Sequence, residues 1–319
     1  MIEVLTTGAA NTIQDLGRNG RFDIGVSRSG AMDRLSLMIG NALLGNDLNA
    51  AGLEIAIFPF RLRFDGPVRF AVTGAEGAVT LAGRPLPPRW AASAAEGETL
   101  VIAPPDKGAR VYITFAGGIN VEPVLGSRAT DLKSGYGGLE GRGLKRGDRL
   151  NVMSKPPMRS FGAALDPFGA LDFTNPLPVR AVPAAEHSVF SADARKLFSR
   201  WSWRVTQEAD RVGYRLEGPE LKLERRLELM SHGILPGTIQ VPPSGKPIIQ
   251  LADANTCGGY PKIATIIEAD LWIVGQAGPE SRFLFSEVTP DEANAALRKQ
   301  RHEIDALART VEVARSLAG

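Results

Sequence analysis

The sequence predicts a mainly β protein with a few helices, built in two parts, and three observations carry that prediction. Gly (35) and Pro (22) are plentiful among the 319 residues, which favours turns and short strands over a helical bundle. The apolar runs are short and separated by clusters of Gly, Pro, Asn and Asp, as strands and their turns require. Between two such β-rich regions, residues 151–175 (NVMSKPPMRSFGAALDPFGALDFTN) hold Pro156, Pro157 and Pro167 among small residues, so the expected domains are 1–175 and 176–319. With 44% hydrophobic residues the chain can bury sizeable cores.

Residues 1–7 alternate well enough for a strand, and 17–30 (GRNGRFDIGVSRSG) are too rich in glycine and charge for regular structure. In 33–44, Leu35, Met38, Ile39, Ala42 and Leu43 recur at helical spacing, with Ser29 or Asp33 as cap and Gly45 past the end. Strand-like pieces fill 51–101, broken by a proline-rich turn at 84–89, and the pattern continues at 99–102 and 110–115. Residues 131–150 (DLKSGYGGLEGRGLKRGDRL) form a second glycine-dense loop. Its Gly138, Gly141 and Gly143 read G-x-x-G-x-G, the reverse of the dinucleotide fingerprint, and no helical pattern follows. That excludes a Rossmann site.

After the boundary the pattern predicts a strand at 178–182, a short amphipathic helix at 191–201, a strand at 203–207 and a charged turn at 210–218 leading into 221–223. Further strands are expected at 238–241, 247–251, 263–267, 271–274 and 282–285. Thr289, Pro290 and Glu292 form a capping-box pattern that opens a last helix over 290–317, with Ile304, Leu307, Ala308 and Val311 on one face. GYGG at 135–138 and GGYP at 258–261 are a weak echo between the two halves.

Charge and motif content narrow the function. Lys and Arg number 37 against 35 Asp and Glu, so there is no basic field to hold nucleic acid or anionic lipid. Cys257 is the one cysteine, which rules out an internal disulfide and suits a reducing, cytoplasmic setting. No basic leader precedes an apolar core, and no run reaches the roughly 18 apolar residues of a membrane span. G-x-S-x-G, H-E-x-x-H and G-x-x-x-x-G-K-[ST] are absent; Gly245-Lys246 is followed by Pro247. His187, His232 and His302 are too scattered for a metal triad, so no metal is expected, and Cys257 reads as a small buried thiol beside a turn.

What remains is amide and hydroxyl chemistry on glycine-lined loops, centred on 253–260. Asn255 offers a donor and an acceptor, Thr256 a hydroxyl, and Gly258 and Gly259 bare backbone beside the ring of Tyr260. No residue stands out as a general base; Asp253 is one candidate and a partner chain the alternative source. The expected catalytic residues are Asp253, Asn255 and Thr256, and the expected substrate-binding residues are Gln240, Gly258, Gly259, Tyr260, Tyr136, Arg142 and Gln276. Tyr136 and Arg142 would close the pocket or meet a carboxylate, for which a planar guanidinium is suited. Ser231 and His232 lie in the same polar, glycine-rich region, and Asp15, Arg18 and Asp33 are further charged options. Such groups suit a small polar ligand with carbonyl and N–H edges, such as a ureido ring or a lactam.

The segments NTIQDLGRNG (11–20), GVSRSGAMD (25–33), GNALLGN (40–46), SGYGGLEGRGLKRGD (134–148), DRVGYRLEGP (210–219), SHGILPGTIQVPPSGKPIIQLAD (231–253) and NTCGGYP (255–261) resemble the biotin-dependent carboxyltransferase family, also called allophanate hydrolase subunit 2. The resemblance spans residues 1 to about 288. It departs at Asn255-Thr256-Cys257, where the family commonly has Gln-Thr-Thr before GGY; one amide arm is shorter here. The resemblance implies two cyclophilin-like β-barrel domains and a KipI-like sister subunit, with a third, LamB/YcsF-type subunit in the 5-oxoprolinase system. It implies an ATP-dependent 5-oxoprolinase subunit acting on a small polar amide or lactam, with ATP consumed together with partner subunits. The alternatives it carries are the carboxyltransferase half of a urea or amide carboxylase, using biotin on a separate carrier, and a non-catalytic KipA-like regulatory protein.

Overall fold

The computed structural model describes residues 1–153, 159–169, 171–225 and 227–318, with side chains to 314. The expected boundary at 151–175 lies outside the described residues at 154–158 and 170. The chain forms two compact units that are interleaved in sequence. The first comprises Met1–Arg18, Ser29–Pro167 and Arg301–Gly319; the second comprises Asn19–Arg28 and Phe168–Gln300.

The first unit is built on two six-stranded sheets. One has the order Arg149–Leu150, Ile2–Thr6, Phe60–Phe64, Thr99–Ile102, Val79–Leu81, Arg84–Pro85; the other has the order Phe161–Gly162, Trp90–Ala94, Val68–Glu76, Lys107–Phe115, Gly52–Ile55, Thr12–Gln14. Alternation sets which face is buried: Phe60, Leu62 and Phe64 are fully buried, whereas Arg61 and Arg63 between them are exposed. Each such side chain contributes about 1.5–3 kcal/mol on burial. The helix Arg34–Leu44 starts at Asp33, whose carboxylate accepts from Ser36 N (2.9 Å) and Ser36 Oγ (2.5 Å), and ends at the left-handed Gly45. Asp33, not Ser29, is therefore the cap. The helix lies against the second sheet so closely that a Cβ at Gly40 would come 2.8 Å from Thr114 Oγ1. Only glycine fits there.

The second unit is a closed barrel in the order Leu177–Pro183, Lys262–Ile266, Thr238–Gln240, Ile248–Gln250, Gly213–Glu217, Trp203–Val205, Arg282–Glu287. It closes through the parallel pairing of Leu177–Pro183 with Arg282–Glu287. The helix Ala192–Arg200 is capped by Ser191 Oγ, which accepts from Ala194 N (3.1 Å). Trp203, Tyr214, Phe283 and Phe285 fill the interior, each 1% exposed or less. The protein is thus mainly β with a few helices.

Two expected elements differ. The apolar run at 271–274 is the short helix Leu271–Gly275, not a strand. Periodicity cannot separate a buried strand from a buried helix over so few residues, and here the preceding turn decides. Asp270 takes three hydrogen bonds from Arg180, at N (2.8 Å), Nε (2.9 Å) and Nη2 (2.6 Å), which turns the chain into the helix. The charged turn expected at 210–218 is largely the barrel strand Gly213–Glu217, with Tyr214 and Leu216 inward and Arg215 outward. Arg215 and Glu217 lie on the outer face of this alternating strand, whereas Arg211 before it is buried. At 221–223 the pairing is limited to a single bridge, Phe190 with Leu223.

Candidate functional site

A buried polar cluster sits at one end of the barrel, where the strands Thr238–Gln240 and Lys262–Ile266 pair. The ladder runs Thr238 with Thr265 and Ile239 with Ala264, and then skips to Gln240 with Lys262. The skip is a bulge that takes Ile263 out of the pairing, so that Gln240 faces Lys262 where a regular ladder would give it Ile263. Bulges re-aim side chains in this way, and directly opposed residues lie on one face with Cβ atoms about 5 Å apart. Gln240 is 4% exposed, and its Nε2 has no hydrogen-bond partner. Lys262 is 9% exposed; its ammonium donates to Glu186 Oε2 (2.8 Å) and meets His232 Nε2. Glu186 Oε2 also accepts from the backbone N–H of Lys262 (3.2 Å).

His232 is oriented from its other ring nitrogen. Its Nδ1 lies 2.9 Å from Met230 O, and a carbonyl only accepts, so Nδ1 carries the proton and Nε2 presents its lone pair to Lys262. In the two-stranded ribbon His232–Gly233 with Cys257–Gly258, His232 pairs with Gly258. A Cβ on Gly258 would lie 2.5 Å from Gln240 Nε2, so any larger residue would push the glutamine's amide aside where the ribbon passes over it. From Gly259 and Tyr260 a groove of about 760 Å³ runs past Val241 and Pro242 to Leu221 and Leu223, a volume suited to a small ligand.

Most of the expected site residues belong to this unit. Asn255 is exposed, Thr256 is half-buried with its carbonyl accepting from Ile234 N (2.9 Å), Cys257 is exposed rather than buried, and Tyr260 is 47% exposed at the head of the groove. Gly259 passes the 229–231 backbone, where a Cβ would lie 3.2 Å from Leu229 O. The loop Asn19–Arg28 belongs here too: a Cβ on Gly25 would lie 4.0 Å from Thr256 Oγ1, and Arg28 Nη1 pairs with Glu268 at 3.4 Å. Asp253 is buried and held by Arg211, with Nε at 2.8 Å and Nη2 at 3.0 Å from its two oxygens. That pair anchors the start of the 253–260 loop. Gln276 is 1% exposed at the end of the helix Leu271–Gly275, with its backbone N–H on Trp272 O (2.9 Å).

Tyr136 and Arg142 belong to the first unit. Tyr136 lies over the guanidinium of the buried Arg18, 4.6 Å from ring centre to Cζ, and Arg18 donates to Ala129 O (2.5 Å) and Val124 O (3.2 Å). Arg142 grips Asp148 with two hydrogen bonds (2.8 and 3.0 Å) and Glu140 with one (2.9 Å). Burial works against the Asp148 carboxylate, but its hydrogen bonds from Arg142 and from Lys145 N outweigh it and hold the pKa below the usual range. Asp15 accepts from Gly17 N, Ser127 Oγ and Arg128 N (2.8, 2.7 and 2.6 Å), which ties together loops distant in sequence.

Sequence reasoning missed Lys262 and Glu186. The signal for the first was a lysine inside an otherwise apolar run, PKIATII, where a buried ammonium needs a partner; Glu186, 76 residues earlier, offered none. Among the described residues, no group of three or more His, Cys, Asp or Glu side chains is placed to hold a metal, and no helix is long and apolar enough to cross a membrane.

A family model described as carboxyltransferase domain, subdomain A and B, matches residues 24–287. The C subunit of 5-oxoprolinase from Escherichia coli (strain K12) is 39% identical over 308 residues, covering 97% of this chain and 98% of that protein. Its namesake in Haemophilus influenzae is 38% identical, covering 98% and 99%. Among solved structures, the K. lactis urea amidolyase superposes with a TM-score of 0.87 at 29% identity, over 96% of this chain and 20% of that one.

Proposed function

The chain belongs to the carboxyltransferase family of subdomains A and B, and from that premise we propose that it is a subunit of an ATP-dependent 5-oxoprolinase, opening the lactam of 5-oxoproline to glutamate. The observation that carries this reading is the end-to-end match to the 5-oxoprolinase C subunits of two bacteria, which leaves almost nothing of either chain unmatched. A KipI-like sister subunit and a LamB/YcsF-type protein complete the complex in this reading, and ATP is their shared substrate. The lactam lies at the mouth of the second-unit barrel, among Gln240, Thr256, Gly258, Gly259 and Tyr260, with Asn255 on the exposed loop above. Asp253 positions that loop through Arg211. The test is glutamate production from 5-oxoproline and ATP by this chain purified with both partners. Turnover that requires this chain is expected; a soluble three-protein complex that makes no glutamate overturns the reading.

The likeness to the K. lactis urea amidolyase supports a second reading, transfer of a carboxyl group from biotin on a separate carrier to urea or a related amide. ATP consumption that depends on urea, bicarbonate and an added biotin carrier would favour it.

A further inference from the structure

A ring amide is held cis, so its carbonyl oxygen and its N–H lie on one edge, an acceptor beside a donor. A protein site for that edge must present donors to the oxygen and an acceptor to the nitrogen, because each group loses its water on binding. The barrel mouth holds both kinds. Gln240 Nε2 is a buried donor with nothing to bond. Lys262 stands directly across the ladder from it, brought there by the bulge at Ile263. Glu186 spends Oε2 on Lys262, while Oε1 lies 4.0 Å from His232 Nε2 with its accepting capacity left over.

We propose that Gln240 Nε2 and Lys262 Nζ are the paired donors to the carbonyl oxygen of a cis amide, and that Glu186 Oε1 accepts its N–H. Lys262 is then a catalytic residue, since charge grows on that oxygen when the amide carbon is attacked and an ammonium stabilises the growing charge more than the neutral carbonyl. His232 is a positioning residue, and Glu186 both binds the amide N–H through Oε1 and positions the ammonium through Oε2. An unbranched four-carbon stem leaves an ammonium free to wander, and two fixed acceptors, one of them locked by the Nδ1 hydrogen bond to Met230 O, hold it over the strand. Gly258 keeps the space in front of the glutamine open. No bond is made or broken by these groups in the proposal; they bind and polarise.

The inference rests on the reading that the second-unit barrel binds the amide, and its test separates the two. In the complex with both partners, Lys262→Met is expected to lower kcat for 5-oxoproline on the order of a hundredfold with a smaller change in KM, because the donor acts mostly in the transition state. Gln240→Leu should lose about tenfold in kcat/KM, and Glu186→Gln should lower kcat with complex formation intact, at some cost in thermal stability because the buried ammonium loses its ionic partner. Lys262→Arg should recover part of the loss. Independently of turnover, the full chain has only three histidines, so imidazole NMR signals can be assigned with His232→Gln. Addition of 5-oxoproline, 2-pyrrolidinone or urea should shift the His232 signal in the wild type, and in Gln240→Leu the same shift should need about tenfold more ligand. If 5-oxoproline is not turned over but 2-pyrrolidinone or urea still moves His232, the oxoprolinase reading falls and the amide site stands. If Lys262→Met keeps full kcat/KM, or no amide moves His232 in the chain or the complex, the site is overturned.

Discussion

Tyr112 in the first unit is fully buried, and its hydroxyl both donates to Glu54 Oε2 (2.6 Å) and accepts from Asp33 N (2.8 Å). Glu54 Oε2 accepts Met32 N as well (2.8 Å), so the phenol joins the residues entering the helix Arg34–Leu44 to the sheet beneath. Burial, and then the neighbouring Glu54 charge, push the phenol pKa well above its ordinary value of 10.0. Folding therefore favours the neutral phenol, so this contribution is complete below about pH 10 and declines as pH rises and the unfolded chain ionises first. Tyr112→Phe is expected to cost about 1–3 kcal/mol at pH 7, because it strands a buried N–H and weakens the hold on a buried carboxylate. Urea unfolding at pH 7 and near pH 11 checks both parts: the deficit of the variant should shrink at the higher pH. A variant as stable as wild type at pH 7 would remove the hydroxyl from the network.

Side chains of the candidate site differ in how far the sequence discloses them for a related reason. Gln240, Thr256, Gly258 and Tyr260 could be singled out because polar groups packed among glycines already look like a surface where something approaches the backbone. Lys262 and Glu186 could not, because their meaning is a contact between distant segments. Arg142 reads as a carboxylate-binding residue, and a carboxylate it does hold is its own neighbour Asp148.

At the scale of elements, local chemistry was legible wherever the residues that decide a conformation are adjacent in sequence. The last helix opens as its capping box predicts: Thr289 Oγ1 accepts from Glu292 N (3.2 Å), and Glu292 Oε2 accepts from Thr289 N (2.7 Å). Thr289→Ala should therefore cost about 1 kcal/mol and fray the first turn, with Thr289→Ser close to neutral. Amide hydrogen exchange at 290–293 is the direct reading, and unchanged protection in the alanine variant would deny the cap a role. The helix Leu271–Gly275 was not legible, since Arg180, 90 residues away, sets the turn before it. Nor was the bulge at Ile263, a property of two strands in register that neither strand states alone.

At the scale of the molecule, two β-rich parts were legible in composition, but the path of the chain between them was not. Residues 19–28 come from the N-terminal part of the sequence yet belong to the second unit, and the last helix is divided, with Gln300 in the second unit and Arg301 in the first. A cut near 167/168 therefore does not yield the second unit whole. It removes Arg28, the partner of Glu268 at 3.4 Å, and the loop whose Gly25 approaches Thr256. It leaves Gln300 Nε2 on Ala269 O (3.0 Å), but separates residues 301–319 from the unit that Ile304 and Val311, 2% and 3% exposed, belong to. The fragment 168–319 should thus expose an apolar helix face and lose the contacts of one loop. Losing that burial removes about 3–6 kcal/mol of hydrophobic stabilisation from the first unit, and on the fragment it leaves an apolar helix face that favours association. Expressed alone, 168–319 is expected to melt well below the full chain or to aggregate. Adding the 19–28 segment through a linker should restore part of the difference, and truncation of the fragment at 300 should improve its solubility. A fragment 168–319 that unfolds cooperatively at the temperature of the intact protein would mean that the interleaved segments contribute nothing to the barrel's stability.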